Sequence, residues 1–151
     1  MNQRKKLCIQ ASQEIMEHIY YVDFGNQPGS VEHGIRPAMV VQNDVGNRYA
    51  PTVIVVAITS EIKKLRQPTH IKLGKQFGLT FDSMLLLEQL STIDKFQLVT
   101  YVGTANNDFL REIDRSIAVS VGIHPTICNS RQYKPVFRLS KIRRKTWDTE
   151  K

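Results

Sequence analysis

Residues 52–60 read TVIVVAITS, a nearly unbroken apolar run whose purest part, Val53 to Ile58, is six residues long. That length and β-branched content fit one strand, and the lack of alternation fits a strand covered on both faces. A bilayer-spanning helix needs roughly 20 apolar residues, so no membrane partner is expected. The chain has 151 residues, 41% of them hydrophobic, which fits one domain with a real core. Arg4-Lys5-Lys6 opens the N-terminus, but Leu7-Cys8-Ile9 is too short for the apolar region of a signal peptide. A cytoplasmic protein is expected. Cys8 and Cys128 lie far apart without Cys-x-x-Cys spacing, so they read as reduced thiols rather than zinc ligands.

Further strands are expected at IYYVDF (19–24), AMVVQN (38–43), THIKL (69–73), SMLLLEQL (83–90) and FQLVTYV (96–102). The turn residues Asp44, Gly46 and Asn47 close the second of these, and Gly74 and Gly103 close the third and the last. Between the first two lies GNQPGSVEHGIRP (25–37), with three glycines and two prolines. It reads as irregular, and its length marks it as functional. Leu110, Ile113, Ile117 and Val121 then recur at helical spacing. They predict an amphipathic helix over 107–121, capped by Asn106 or Asn107 and ended by Gly122 and Pro125. Short strands followed by one helix indicate a mainly β (α+β) domain: a small antiparallel barrel or curled sheet with a helix packed on it.

The net charge of +7 divides unevenly. Residues 1–128 carry 13 Lys/Arg against 12 Asp/Glu, whereas residues 129–151 carry eight against two. The block RQYKPVFRLSKIRRK (131–145) has seven basic residues and no acid, a composition that attracts polyanions or acidic proteins.

Several chemistries lack their residues. The acids are scattered, with no Asp-x-Asp or His-Glu-x-x-His spacing to hold catalytic metal. There is no phosphate-cradling Gly-x-x-x-x-Gly-Lys-Ser/Thr loop and no nucleophile elbow for Ser-His-Asp hydrolysis. What remains is the long loop and the strand ends. Pro37 restricts Arg36 to extended backbone, holding at a strand entrance a guanidinium that can grip phosphate bidentately. Thr59 and Ser60 end the most apolar strand, and Glu32 and His33 share the loop with Arg36 as proton carriers. Taken singly, each position also has an ordinary structural reading.

From Ile19 to Lys95 the sequence resembles the MazF/PemK family of toxin endoribonucleases. The matching segments are IYYVDF with GS-x-x-x-G-IRP, VVQNDVGNRYAPTVIVVAIT, PTHIKL and DSMLLLEQLSTIDK, in family order and at family spacing. The resemblance implies an SH3-like barrel of antiparallel strands with a packed C-terminal helix, assembled as a homodimer. It implies cleavage of single-stranded RNA (mRNA) by transesterification needing no metal or cofactor. The ribose 2′-oxygen attacks the adjacent phosphorus, leaving 2′,3′-cyclic phosphate and 5′-hydroxyl ends and inhibiting translation. The family's essential arginine and threonine fall on Arg36 and Thr59. Its RNA-contacting positions fall on Ser30, His70, Ser83 and Glu88, with Glu32 beside them. The expected partner is a cognate antitoxin with an acidic, disordered C-terminal segment, and DNA binding with that antitoxin for autoregulation is also implied.

The chain departs from the family pattern in three places. Glu17-His18 stands for Gly-Asp; the loop glutamate aligns with Val31, Glu32 being next; and Ser91 in EQLST replaces a basic residue. The expected organisation is an extension over 1–16, the endoribonuclease domain over 17–122 and a basic tail over 123–151. Two other readings share this fold or surface: a non-enzymatic gyrase poison and a non-cleaving RNA-binding module. The first relies on a C-terminal Trp-Gly-Ile, whereas Trp147 is followed by Asp148-Thr149.

Overall fold

The computed structural model describes residues 18–123. The expected N-terminal extension, Glu17, both cysteines, the basic block 131–145 and Trp147 lie outside the described residues. Six strands form one antiparallel sheet: β1 (His18–Asp23), β2 (Ile35–Val40), β3 (Thr52–Thr59), β4 (His70–Leu73), β5 (Ser83–Asp94) and β6 (Leu98–Thr104). Their order is β4-β5-β3-β2-β1-β6. Helix α1 (Asp44–Tyr49) joins β2 to β3, and α2 (Asn107–Ser120) follows β6. Among the described residues no helix is long and apolar enough to cross a membrane.

The apolar run at 52–60 is the middle of this sheet, between β2 and β5. Val55, Val56, Ala57 and Ile58 are all buried, so both faces of β3 are covered there, while Ile54 is exposed. One face joins Ile19, Met39, Val56, Ile58, Leu85 and Leu87 to Ile113 of α2. The other joins Tyr20, Val22, Ala38, Val40, Val55 and Leu98. The expected periodicity of α2 is met at Ile113 and Ile117, which pack on the first of these faces, whereas Val121 is the C-cap and exposed; the Asn106 side chain caps the helix by accepting from the Phe109 N–H.

Three expectations are corrected. The loop after β1 ends at residue 34 rather than 37, because Arg36 and Pro37 pair with Val22 and Tyr21 of β1. Pro37 is tolerated since pairing with β3 begins only at Ala38, leaving its missing N–H opposite no neighbour. The turn residues after β2 form α1 instead of an open turn. Asn43 caps it through the Gly46 N–H, and Asn47 donates back to the Gln42 carbonyl. Finally, the sheet does not close into a barrel, because its two ends, β4 and β6, do not pair. A 3₁₀ turn (Lys75–Phe77) follows β4 and packs against β6 in place of a strand. A Cβ on Gly103 would lie 2.1 Å from the Phe77 carbonyl oxygen, and one on Gly78 2.3 Å from that of Val102. The seam is therefore glycine-lined backbone contact rather than a hydrogen-bonded ladder.

The register between β3 and β5 breaks once. Val56 pairs with Leu90 and Ile58 with Leu85, so β3 advances two residues while β5 advances five. The three extra residues of β5 bend it, as bulged segments do, next to Glu88 and Gln89.

Candidate active site

The ends of β2, β3 and β5 converge on an open cleft of about 120 Å³. Its walls include Tyr21, Arg36, Pro37, Ile58, Thr59, Phe81 and Ser83. Antiparallel pairing explains the convergence: Thr59, last in β3, is opposite Met84, beside Ser83 at the start of β5. Arg36 enters from β2, whose first residues run past the end of the β2–β3 pairing.

Arg36 is exposed, as a group meeting a large anion has to be. Its Nε donates to the His33 carbonyl at 3.4 Å and lies 3.7 Å from the Glu32 carboxylate. Among the described residues nothing pairs with its two terminal amino groups, which suits them to a phosphate. Thr59 Oγ1 accepts from the Glu61 N–H at 3.2 Å, which leaves the hydroxyl hydrogen free to donate. Glu61 is held below the ordinary carboxylate range first by the hydrogen bond from Lys63 and then by the charges of Lys63 and Arg36.

The loop carrying Glu32 is pinned at its base. Phe24 N–H donates to the Gly34 carbonyl and Gly34 N–H to that of Gly25, at 3.0 and 2.8 Å. Gly25 and Gly34 take φ of +71° and +69°, which lets the strands turn out of register with the sheet there. A second tether was not foreseen from sequence: the Glu32 N–H donates to Gln89 Oε1 at 3.1 Å. Gln89 lies in the stretch of β5 where its register against β3 shifts.

The expected site residues divide into two groups. Arg36, Thr59 and Ser83 share the cleft, with Glu32 beside Arg36. Ser83 is buried and donates to the Phe81 carbonyl at 2.8 Å. Ser30 is exposed on the loop, and His33 faces the Val31 carbonyl at 3.3 Å. His70 and Glu88 do not line the cleft; they bind each other, with His70 Nε2 2.9 Å from Glu88 Oε1. His70 Nδ1 lies 3.1 Å from the Lys63 carbonyl. Sequence reasoning also missed Phe81, whose aromatic ring is exposed at the cleft wall. Its signal was an aromatic residue in a polar turn just before a strand. Among the described residues no group of three or more His, Cys, Asp or Glu side chains converges as a metal site.

The Glu88 carboxyl is partly desolvated, which opposes ionisation, but hydrogen bonds from its own backbone N–H, His70 and Thr69 outweigh this and lower its pKa. A lowered folded-state pKa stabilises the fold above the ordinary value, and that contribution is lost as pH falls. The stability difference between the native protein and Glu88→Gln should be constant above about pH 5 and shrink below it. Urea midpoints across pH 3–7 measure this. A difference that does not change with pH would contradict the assignment.

Known proteins share this sequence pattern and this fold. The family model described as PemK-like, MazF-like toxin of type II toxin–antitoxin system matches residues 16–121. Endoribonuclease EndoA of Bacillus subtilis is 39% identical over 106 residues, which cover 70% of this chain and 91% of that protein. An endoribonuclease solved in complex with its cognate antitoxin from a Mycobacterial species superposes with a TM-score of 0.63 at 21% identity, covering 74% of this chain and 98% of that one. MazF from Deinococcus radiodurans gives 0.62 at 21% identity, covering 71% and 94%. At these identities the two structures establish the shared fold alone.

Proposed function

The chain belongs to the PemK-like, MazF-like toxin family of type II toxin–antitoxin systems and is an endoribonuclease toxin of that type; on that premise we propose that it cuts single-stranded RNA by transesterification in the Arg36–Thr59 cleft, without a metal or cofactor. The observation that carries this reading is the meeting of the Arg36 guanidinium and the Thr59 hydroxyl at one open cleft, with the Glu32 carboxylate 3.7 Å from that guanidinium.

The RNA brings its own nucleophile, so the protein has to position it, move protons and stabilise charge. Glu32 takes the proton of the ribose 2′-hydroxyl. The 2′-oxygen then bonds to phosphorus, the bond from phosphorus to the 5′-oxygen breaks, and that oxygen takes a proton from water in the open cleft and leaves as a hydroxyl. Arg36 grips the two non-bridging oxygens as negative charge builds on them, and Thr59 donates to one of them. Tethering through Gln89 holds Glu32 beside Arg36 before substrate arrives. Phe81 offers a face on which a base can stack, while Ser30 and Ser83 contact the strand on either side.

The working molecule is a homodimer in the cytoplasm, with residues 17–122 as the endoribonuclease domain between an extension (1–16) and a basic tail (123–151). Its partner is an antitoxin whose acidic, disordered segment occupies the RNA groove, and the complex binds DNA for autoregulation. The antitoxin complex of the Mycobacterial relative supports this partner. Sedimentation at micromolar concentration is expected to show the dimer, and a fully active monomer would contradict it. Arg36→Ala should lower kcat at least ~100-fold, the usual scale for losing one charged stabiliser, with little change in the thermal midpoint because the side chain is exposed. Normal cleavage by that variant would overturn the reading.

A further inference from the structure

The segment joining β3 to β4 leaves the cleft at Ser60 and carries Lys63, Lys64 and Arg66 within four residues. Residues 18–123 hold ten Lys/Arg and ten Asp/Glu in total. Against that neutral background the three cations are the densest positive feature of the described fold, and all three are exposed. One of them, Lys63, is paired with Glu61 at 2.7 Å.

This segment is bound to the sheet by a continuous chain of side chains. Gln67 Nε2 donates to Thr69 Oγ1 at 3.2 Å, and Thr69 in turn hydrogen-bonds the Glu88 carboxylate. Glu88 meets His70 Nε2 at 2.9 Å, and His70 Nδ1 reaches back to the Lys63 carbonyl at 3.1 Å. The imidazole thus bridges the Glu88 carboxylate and the Lys63 carbonyl, one ring nitrogen to each. Lys64 sits at φ +52°, a left-handed conformation that a lysine keeps only when its surroundings hold it. The His70 side chain is 7% exposed, with both nitrogens already engaged.

We propose that the His70–Glu88–Thr69 chain is a strap that fixes the 61–67 loop beside the cleft, where Lys63, Lys64 and Arg66 bind phosphates of the RNA outside the scissile linkage. His70 is then a positioning residue acting through the loop rather than a group touching RNA. The proposal rests on the RNA-cleaving reading of the cleft and adds to it a phosphate-binding arm with its support.

The test uses the full chain and a short single-stranded RNA spanning a mapped cut site. Binding is measured across a salt series with a single 2′-deoxy nucleotide blocking attack, and kcat and KM are measured on the unmodified strand. Each phosphate contact adds about −0.7 to the slope of log affinity against log salt. Neutralising the arm (Lys63→Gln, Lys64→Gln, Arg66→Gln) should flatten that slope by about 2 and raise KM about tenfold or more at 0.1 M salt, with kcat within about twofold. His70→Phe, with every cation retained, should flatten the slope in the same direction, and adding it to the neutralised arm should change nothing further. If His70→Phe does not fold, Glu88→Gln is judged by the same criteria. Additive losses would place His70 on the RNA itself, and an unchanged slope in the neutralised arm would remove the loop from binding; either overturns the proposal. If the native protein neither binds nor cuts RNA, the reading of the cleft fails first and the arm falls with it.

Discussion

The break in register between β3 and β5 is the constraint on which the site depends. A regular ladder would carry β5 straight past β3 and set the adjacent Glu88 and Gln89 on opposite faces of the sheet. The three extra residues opposite Val56–Ile58 bend β5 instead. Gln89 holds the Glu32 N–H, and Glu88 holds His70. Met84, Leu85, Leu86 and Leu87 are buried at or next to the bend, so apolar packing stabilises the distortion that aims the two polar residues.

Much of this was legible in the residues. The strands announced themselves through β-branched runs ended by glycine and turn residues, and α2 through Leu110, Ile113 and Ile117 at helical spacing. Arg36 stood out because Pro37 fixes its backbone. What failed had physical causes. Asn43, Asp44, Gly46 and Asn47 all favour turns, yet together they cap and close a short helix, with the Asn43 side chain taking the Gly46 N–H. The open seam escaped because it depends on Gly78 and Gly103 meeting backbone from a distant part of the chain. The grips on Glu32 and His70 escaped for the same reason, since a register slip between strands leaves no mark in either strand's own pattern.

The electrostatics of the domain are local. A body with equal numbers of acids and bases draws RNA only where its cations gather. In the proposed reading Arg36 is one such place, at the reacting phosphate, and the exposed Lys63, Lys64 and Arg66 of the 61–67 loop are the other. Lys72, by contrast, is drawn towards Asp82 at 3.8 Å. Concentrating charge at the cleft and its exit suits a substrate that must be held on both sides of the bond being broken.

The central claim is that the RNA's own 2′-oxygen is the nucleophile and that Glu32, Arg36 and Thr59 only move its proton and stabilise the phosphorane. End-group analysis of RNA digested in excess chelator tests it most directly. The account predicts 2′,3′-cyclic phosphate on the upstream fragments and 5′-hydroxyl on the downstream ones. Fragments carrying 5′-phosphate and 3′-hydroxyl ends would mean that water attacked, and would contradict it.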